Sequence, residues 1–162
     1  MLLDKRKYQG PEKTPDEMIK ILPAEKYEEA LVFINLGNEL NCKTQTRYAH
    51  ANKYWRCVFS VNKPRRVLFT VECTDEWWRV KAMLSNIEQY KDRVMDCSEN
   101  LVCLIKNAYD CHKCSGHCKG PKPFVLDNIE YRKCIGCSFY FSDLPDEDMQ
   151  SLVRLIKEEA KY

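Results

Sequence analysis

The sequence predicts an α+β fold: one antiparallel β-sheet, a meander, with helices on one face, followed by a cysteine-rich loop and a late hairpin. Three observations predict it. Apolar residues alternate over 54–61, 66–73 and 76–84, the period of half-buried strands. Helical spacing of apolar residues brackets that block, over 24–40, 97–108 and 145–160. Short turn-forming segments join the alternating runs, so consecutive strands should be antiparallel neighbours. At 162 residues the chain suits one domain with a sizeable core. Residues 1–13 are expected as a flexible lead-in and 14–162 as one domain carrying a cysteine-rich subsite at 111–137.

Taken in order, Thr14-Pro15-Asp16-Glu17 starts a short helix: Thr14 caps, Pro15 suits the first helical position and Glu17 completes a capping box. Leu22-Pro23 ends it, because a residue before proline avoids the α region. A longer helix opens at Pro23-Ala24-Glu25. Its stripes Tyr27, Leu31, Ile34 and Phe33, Leu36, Leu40 make a broad face for a sheet, and Asn38 and Asn41 are its stop signals. A short strand is expected over 44–50. In the next run Trp55, Cys57, Phe59 and Val61 share one face; in the one after, Val67, Phe69, Val71 and Cys73 do. Asn62-Lys63-Pro64-Arg65 is the hairpin turn between them. The third run places Trp78, Val80, Ala82 and Leu84 on one side and Trp77, Arg79 and Lys81 on the other. Residues 85–94 read as a polar helix, and 97–108 as an apolar one capped by Asp96 or Ser98. Asp127-Asn128 is a hairpin turn between 124–126 and 129–133. A strand continues over 135–141, and Asp143 caps the terminal helix of Met149, Leu152, Val153, Ile156 and Ala160.

Composition excludes several classes. Formal charge is +2, from 26 basic and 24 acidic residues, too small for a strong global field toward nucleic acid or membrane. No apolar run approaches the ~20 residues of a membrane span. The stretch from Met1 to Lys7 lacks the apolar core of a secretory signal. A cytoplasmic protein with no membrane partner is therefore expected.

The chain has 10 cysteines, and in a reducing compartment metal ligation is weighed before disulfides. Cys42, Cys57, Cys73, Cys97 and Cys103 sit in apolar contexts and read as core filler. The other five are clustered as Cys111-x2-Cys114-x3-Cys118 and Cys134-x2-Cys137. The pairs Cys111/Cys114 and Cys134/Cys137 have the spacing of a structural zinc site. A two-residue spacer turns both sulfurs toward one centre, and two such turns supply four thiolates at ~2.3 Å. Gly116 and Gly136 fit the turns. Lys113, Lys119, Arg132 and Lys133 flank them and favour thiolate over thiol. Cys118 can replace Cys137 as fourth ligand, and His112 and His117 are spare donors. An iron–sulfur cluster, a redox pair at Cys134/Cys137 and disulfides are the competing readings. A site with four sulfurs is closed, hence structural.

Strand segments such as Tyr54–Phe59, a helix pair, Cys-x2-Cys-x3-Cys, Tyr131-x2-Cys134 and a run from Phe139 to Asp143 entering a terminal helix follow one another here. In this order and spacing the chain, over about residues 45–160, resembles small bacterial proteins grouped with domain of unknown function 3788. The resemblance implies no activity. It implies Cys111, Cys114, Cys118 and Cys134 as candidate ligands and leaves Cys137 outside the pattern.

Three functional readings follow. The first is a small-molecule-binding module: Tyr48, Trp55, Trp77, Trp78, Arg56 and Arg79, with Tyr54 and Arg47 nearby, would line a sheet face suited to an apolar or anionic ligand. Adjacent strand residues point to opposite faces, so Trp77 and Trp78 cannot both turn inward. The alternative is a nucleic-acid- or protein-binding module using Lys63, Arg65, Arg66 and the basic flanks of the cysteines, which the near-neutral charge disfavours. The third is a zinc- or thiol-dependent enzyme. The chain has no phosphate loop, nucleophile elbow or HExxH, and its histidines are only His50, His112 and His117.

Overall fold

A computed structural model describes residues 13–114, 116–134 and 139–162. The lead-in, except Lys13, and Gly136 and Cys137 lie outside the described residues. The fold is α+β. Helices α1 (Pro15–Ile19) and α2 (Ala24–Glu39) come first, then strands β1 (Lys43–Ala49), β2 (Tyr54–Asn62), β3 (Arg65–Cys73) and β4 (Trp78–Ala82). A 3-10 turn (Ile87–Tyr90), α3 (Lys91–Met95) and α4 (Glu99–Lys106) precede the hairpin β5 (Phe124–Leu126) and β6 (Ile129–Tyr131). Strand β7 (Tyr140–Phe141) and helix α5 (Asp146–Glu159) complete it. The sheet order is β1-β2-β3-β4-β7, antiparallel throughout; the meander thus gains a late strand beside β4.

Local chemistry explains the helix ends. Thr14 Oγ1 accepts from the Glu17 amide at 3.2 Å, and Glu17 Oε2 accepts from the Thr14 amide at 2.9 Å, the expected reciprocal box. At the end of α2, Asn41 takes a left-handed φ of 52°. The Cys42 amide then donates to the Gly37 carbonyl at 2.9 Å and the Asn41 amide to Asn38 at 3.1 Å, so orphan carbonyls are satisfied. Asp127 and Asn128 both have positive φ, 51° and 63°, the conformation a two-residue hairpin requires.

The core lies between the sheet and helices α1, α2 and α5. Phe59 and Phe69 are opposite in register and stack at 4.4 Å, and Phe33 of α2 meets Phe69 and Trp78. Met149, Leu152 and Ile156 of α5 are buried at helical spacing. Two buried carboxylates anchor α5. Asp148 accepts from Ser98 Oγ at 2.5 Å and Asn100 Nδ2 at 2.6 Å. Glu159, fully buried, accepts from Arg66 Nη1 at 3.0 Å, the Asn86 amide at 2.9 Å, Asn86 Nδ2 at 2.6 Å and Tyr90 Oη at 2.7 Å.

Several expectations are corrected. Asp143 does not cap α5: it sits in a left-handed conformation, φ 52°, and the helix starts after Pro145 with no side-chain cap. Helix α4 packs on α5, where Ser98 at its start donates to Asp148, while Leu101 and Ile105 join the same core as the sheet residues. Ser98 is its cap, accepting from the Leu101 amide at 3.1 Å. The run 76–84 is a strand only over Trp78–Ala82, because Thr74 Oγ1 accepts from the Glu76 and Trp77 amides and holds 74–77 as a turn. Of the strand expected over 135–141, residues 135–138 lie outside the described residues and Tyr140–Phe141 pair with β4. Residues 85–94 divide between the 3-10 turn and α3.

Candidate functional site

Strand alternation sorts the sheet into two faces. One carries Cys57, Phe59, Phe69, Val71, Val80 and Phe141, and all of these are buried under the helices. The other carries Arg47, Tyr54, Arg56, Glu72, Arg79, Lys81 and Tyr140. Among the described residues α1, α2 and α5 pack on the first face; the second is partly open, with Arg47 and Trp77 exposed, Arg56, Arg79, Lys81 and Tyr140 half-buried, and Thr70 and Glu72 buried at its centre. The register lines up one row across four strands: Arg47 opposite Arg56, Arg56 opposite Glu72, Glu72 opposite Arg79.

This row is unbalanced. Arg79 Nε donates to Glu72 Oε2 at 2.6 Å, and the Glu72 side chain is only 4% exposed. Burial works to lower the Arg79 pKa, but the hydrogen bond and charge of Glu72 outweigh it and hold the guanidinium above its ordinary value. The guanidinium also lies 4.4 Å from the Tyr140 ring centre, 5.3 Å from Trp77 and 5.7 Å from Tyr54. Trp77 and Tyr54 meet edge-on at 5.7 Å. Among the described residues Arg56 has no such partner. Its Nε is buried with no hydrogen bond, and its cross-strand neighbour is another cation, Arg47. Like charges directly opposite on a sheet are destabilising.

Of the candidate ligand-binding residues, Arg56, Arg79 and Trp77 come together on the open face. Tyr48, Trp55 and Trp78 belong to the other face. Trp78 is buried against Phe33 and donates from Nε1 to Glu29 at 3.1 Å. Tyr48 and Trp55 meet at 5.4 Å, and Lys13 Nζ lies 4.6 Å over the Trp55 ring. Sequence reading missed Glu72 and Tyr140. Glu72 had a usable signal, because it falls out of phase with Val71 and Cys73, as Arg56 does with Cys57.

The described parts of the cysteine-rich segment are joined by one bridge. Asp110 pairs with Lys133 in antiparallel fashion, the Cys111 amide donates to the Arg132 carbonyl at 2.9 Å, and the Cys134 amide donates to Tyr109 at 3.0 Å. Lys133 is 5% exposed and bonds both Asp110 Oδ1 and the Ala108 carbonyl at 2.8 Å. That hydrogen bond holds the Asp110 carboxyl below its ordinary value. Alternation then puts Cys111 and Cys134 together on the face away from Asp110 and Lys133. They are diagonal neighbours, which in such ladders lie ~7–8 Å apart at the backbone. Cys114 and Cys118 are exposed on the intervening loop, where Lys113 has a left-handed φ of 51°. Among the described residues no three His, Cys, Asp or Glu side chains converge as a metal site. The bridge therefore brings together two of the predicted ligands, with Cys114 and Cys118 on the connecting loop and Cys137 outside the described residues.

The basic flanks are partly engaged: Lys133 with Asp110, Arg132 with Glu130 at 2.9 Å, Lys122 with Asn86 at 2.9 Å and Arg66 with Glu159. His112 and His117 are exposed. Burial raises the thiol of Cys57 to about 11 and that of Cys73 to about 12, so both remain protonated core filler. Cys42 and Cys97 are half-buried. Cys103 is exposed, which corrects its reading as core: it lies on the side of α4 opposite Leu101 and Ile105. No disulfide joins any two of the nine described cysteines.

A cavity between α2, β4, β7 and α5, bordered by Phe33, Trp78, Phe141 and Met149, has about 10 Å³ of free volume, room for about one water. It has no room for a ligand larger than water. Among the described residues no helix is long and apolar enough to cross a membrane. No family model, curated protein or solved structure matches the chain.

Proposed function

We propose that this protein is a small-molecule-binding module whose binding surface is the open sheet face around Arg56, Arg79, Trp77 and Tyr54. The supporting observation is the cross-strand row of three arginines and one glutamate, bordered by aromatic rings, on the face the helices leave uncovered. A sheet face whose only purpose is solvation does not need a buried carboxylate to orient a guanidinium among three rings. The test is a ligand screen read by melting temperature and tryptophan emission. Trp77 is 36% exposed and Trp78 8%, so a ligand on this face should perturb Trp77, and the Trp77→Phe variant should lose that signal. Ligands that stabilise the protein yet leave Trp77 emission and Arg79→Ala binding unchanged would reject the surface.

A second reading is favoured by the Asp110–Lys133 bridge. Cys111 and Cys134, diagonal on one face, supply two thiolates of a structural zinc site, and Cys114 and Cys118 supply the others from the loop between them. The left-handed Lys113 tightens the Cys111-x2-Cys114 turn as a knuckle requires. Zinc would then clip the hairpin to the end of α4 as part of the folding free energy. Protein purified without added metal should carry one zinc per chain, and Cys111→Ser or Cys134→Ser should release it and lower the melting temperature. Metal-free protein that neither takes up zinc nor gains stability with it would discard this reading.

A further inference from the structure

Resting on the binding-surface reading, we infer that the ligand is a small anion: an oxyanion head, carboxylate or phosphate, carried on a flat aromatic body. Charge along the row points to the head. Arg47, Arg56 and Arg79 face a single carboxylate, and Glu72 pairs with Arg79 although Arg56 is equally opposite it. Arg56 is thereby left between a cation on one strand and an already neutralised acid on the next. Its Nε is buried and makes no hydrogen bond. A buried donor without an acceptor is costly, the more so when it belongs to a charged group. An oxyanion seated over Arg56 and Arg47 would meet their terminal guanidinium nitrogens, balance the charge of the pair and convert the repulsive cross-strand contact into a two-armed clamp. Guanidinium presents a planar fork of donors that matches carboxylate or phosphate oxygens.

The rings point to the body of the ligand. Tyr54 is two residues from Arg56 on the same face of β2, and Trp77 lies 5.7 Å from Tyr54 with its ring partly exposed. An aromatic group attached to the head would lie across these rings while the head reaches Arg56. Arg79 would border the site, fixed by Glu72 and stacked at 4.4 Å on Tyr140. Lys81, 5.4 Å over the same ring, adds positive potential from the next row.

The test titrates full-length protein with benzoate, phenyl phosphate and inorganic phosphate, with benzyl alcohol as the neutral aromatic control. Benzoate or phenyl phosphate should bind at least tenfold more tightly than benzyl alcohol and quench Trp77. Preference between these two separates a carboxylate from a phosphate head, and inorganic phosphate binding more weakly than phenyl phosphate shows that the ring contributes. Arg56→Gln, checked by melting temperature for intact folding, should weaken the anion tenfold or more and leave benzyl alcohol unchanged. Trp77→Ala should weaken both aromatic acids but not inorganic phosphate. Equal binding of neutral and acidic probes, or anion binding unchanged in Arg56→Gln, overturns the anion assignment and leaves the surface standing. If the acids bind yet Trp77→Ala and Arg56→Gln both leave them unaffected, the surface itself is wrong. No binding of any acid at millimolar concentration overturns the inference.

Discussion

Gly37→Ala sets two effects of opposite sign against each other, and the geometry decides between them. Alanine in a helix is favoured over glycine by about 1 kcal/mol. Gly37, however, lies in the last turn of α2 against the sheet, and a Cβ there would fall within 3.0 Å of Cδ1 and Cε1 of Phe59, closer than real Cβ atoms come. The ring cannot step aside easily. Phe59 is fully buried and stacked on Phe69 at 4.4 Å with only 10° between the planes. Forcing a methyl into such packing costs about 1–3 kcal/mol. Where the ring is held this firmly the upper part of that range applies, so the net effect is a loss of about 1–2 kcal/mol. For a chain of this size that is a drop of about 2–8 °C in melting temperature. Gly116→Ala is the control, since its added Cβ meets nothing within 4 Å. Adding Phe59→Leu to Gly37→Ala should cost less than the sum of the two single changes, because both act on one contact. A melting temperature for Gly37→Ala equal to or above wild type refutes the reasoning.

Other outcomes follow from buried charge and thiol environment. Glu159→Ala leaves Arg66, the Asn86 amide and Tyr90 without their common acceptor; a loss of about 3–5 kcal/mol is expected by urea unfolding, and a loss below 1 kcal/mol contradicts the network. Brief treatment with iodoacetamide at pH 8, read by peptide mass, should modify Cys103 while Cys57 and Cys73 stay unmodified until denaturant is added; early labelling of Cys73 would contradict its place in the core. Asp110 has a lowered pKa in the folded state, so its pairing with Lys133 contributes fully above the ordinary value of 3.8 and is lost as pH falls through the lower folded value. Protection of the Cys111 and Cys134 amides against hydrogen exchange should therefore hold at pH 5 and decline below pH 3.8, and a decline already complete at pH 5 would rule out this linkage.

Periodicity made most of the fold legible. The alternation gives the faces over 54–59 and 69–73, since only one register buries Cys57, Phe59, Phe69 and Val71 together; a register shift at Phe59/Ser60 breaks it beyond, so that Leu68 is fully buried and Val67, opposite Ser60, only partly. The hairpin at Asp127-Asn128 was legible because few residues tolerate two successive positive φ values. Layering was not. Nothing in the spacing of Leu101, Val102 and Ile105 says whether their partner is a sheet or another helix, and α4 proved to lie on α5. Capping at Asp143 failed because an aspartate two residues before proline has the same composition as a cap while its backbone makes a turn. The candidate surface was half legible. Arg56, Arg79 and Trp77 share a face by parity, but the row needs strand register, which composition does not carry. Tyr48, Trp55 and Trp78 are candidates by residue type, and strand register puts them in one row on the other face.

The position of α5 has a consequence for how the chain is made. Met149, Leu152 and Ile156 cover ground laid by Phe33, Trp78 and Phe141, so residues more than 100 positions apart close one core. A nascent polypeptide that has emerged only through β4 has α1 and α2 to cover part of the sheet, but its Trp78 and Val80 still lack Phe141 of β7 and Met149 and Leu152 of α5. During synthesis this end of the core therefore stays incomplete until α5 leaves the ribosome.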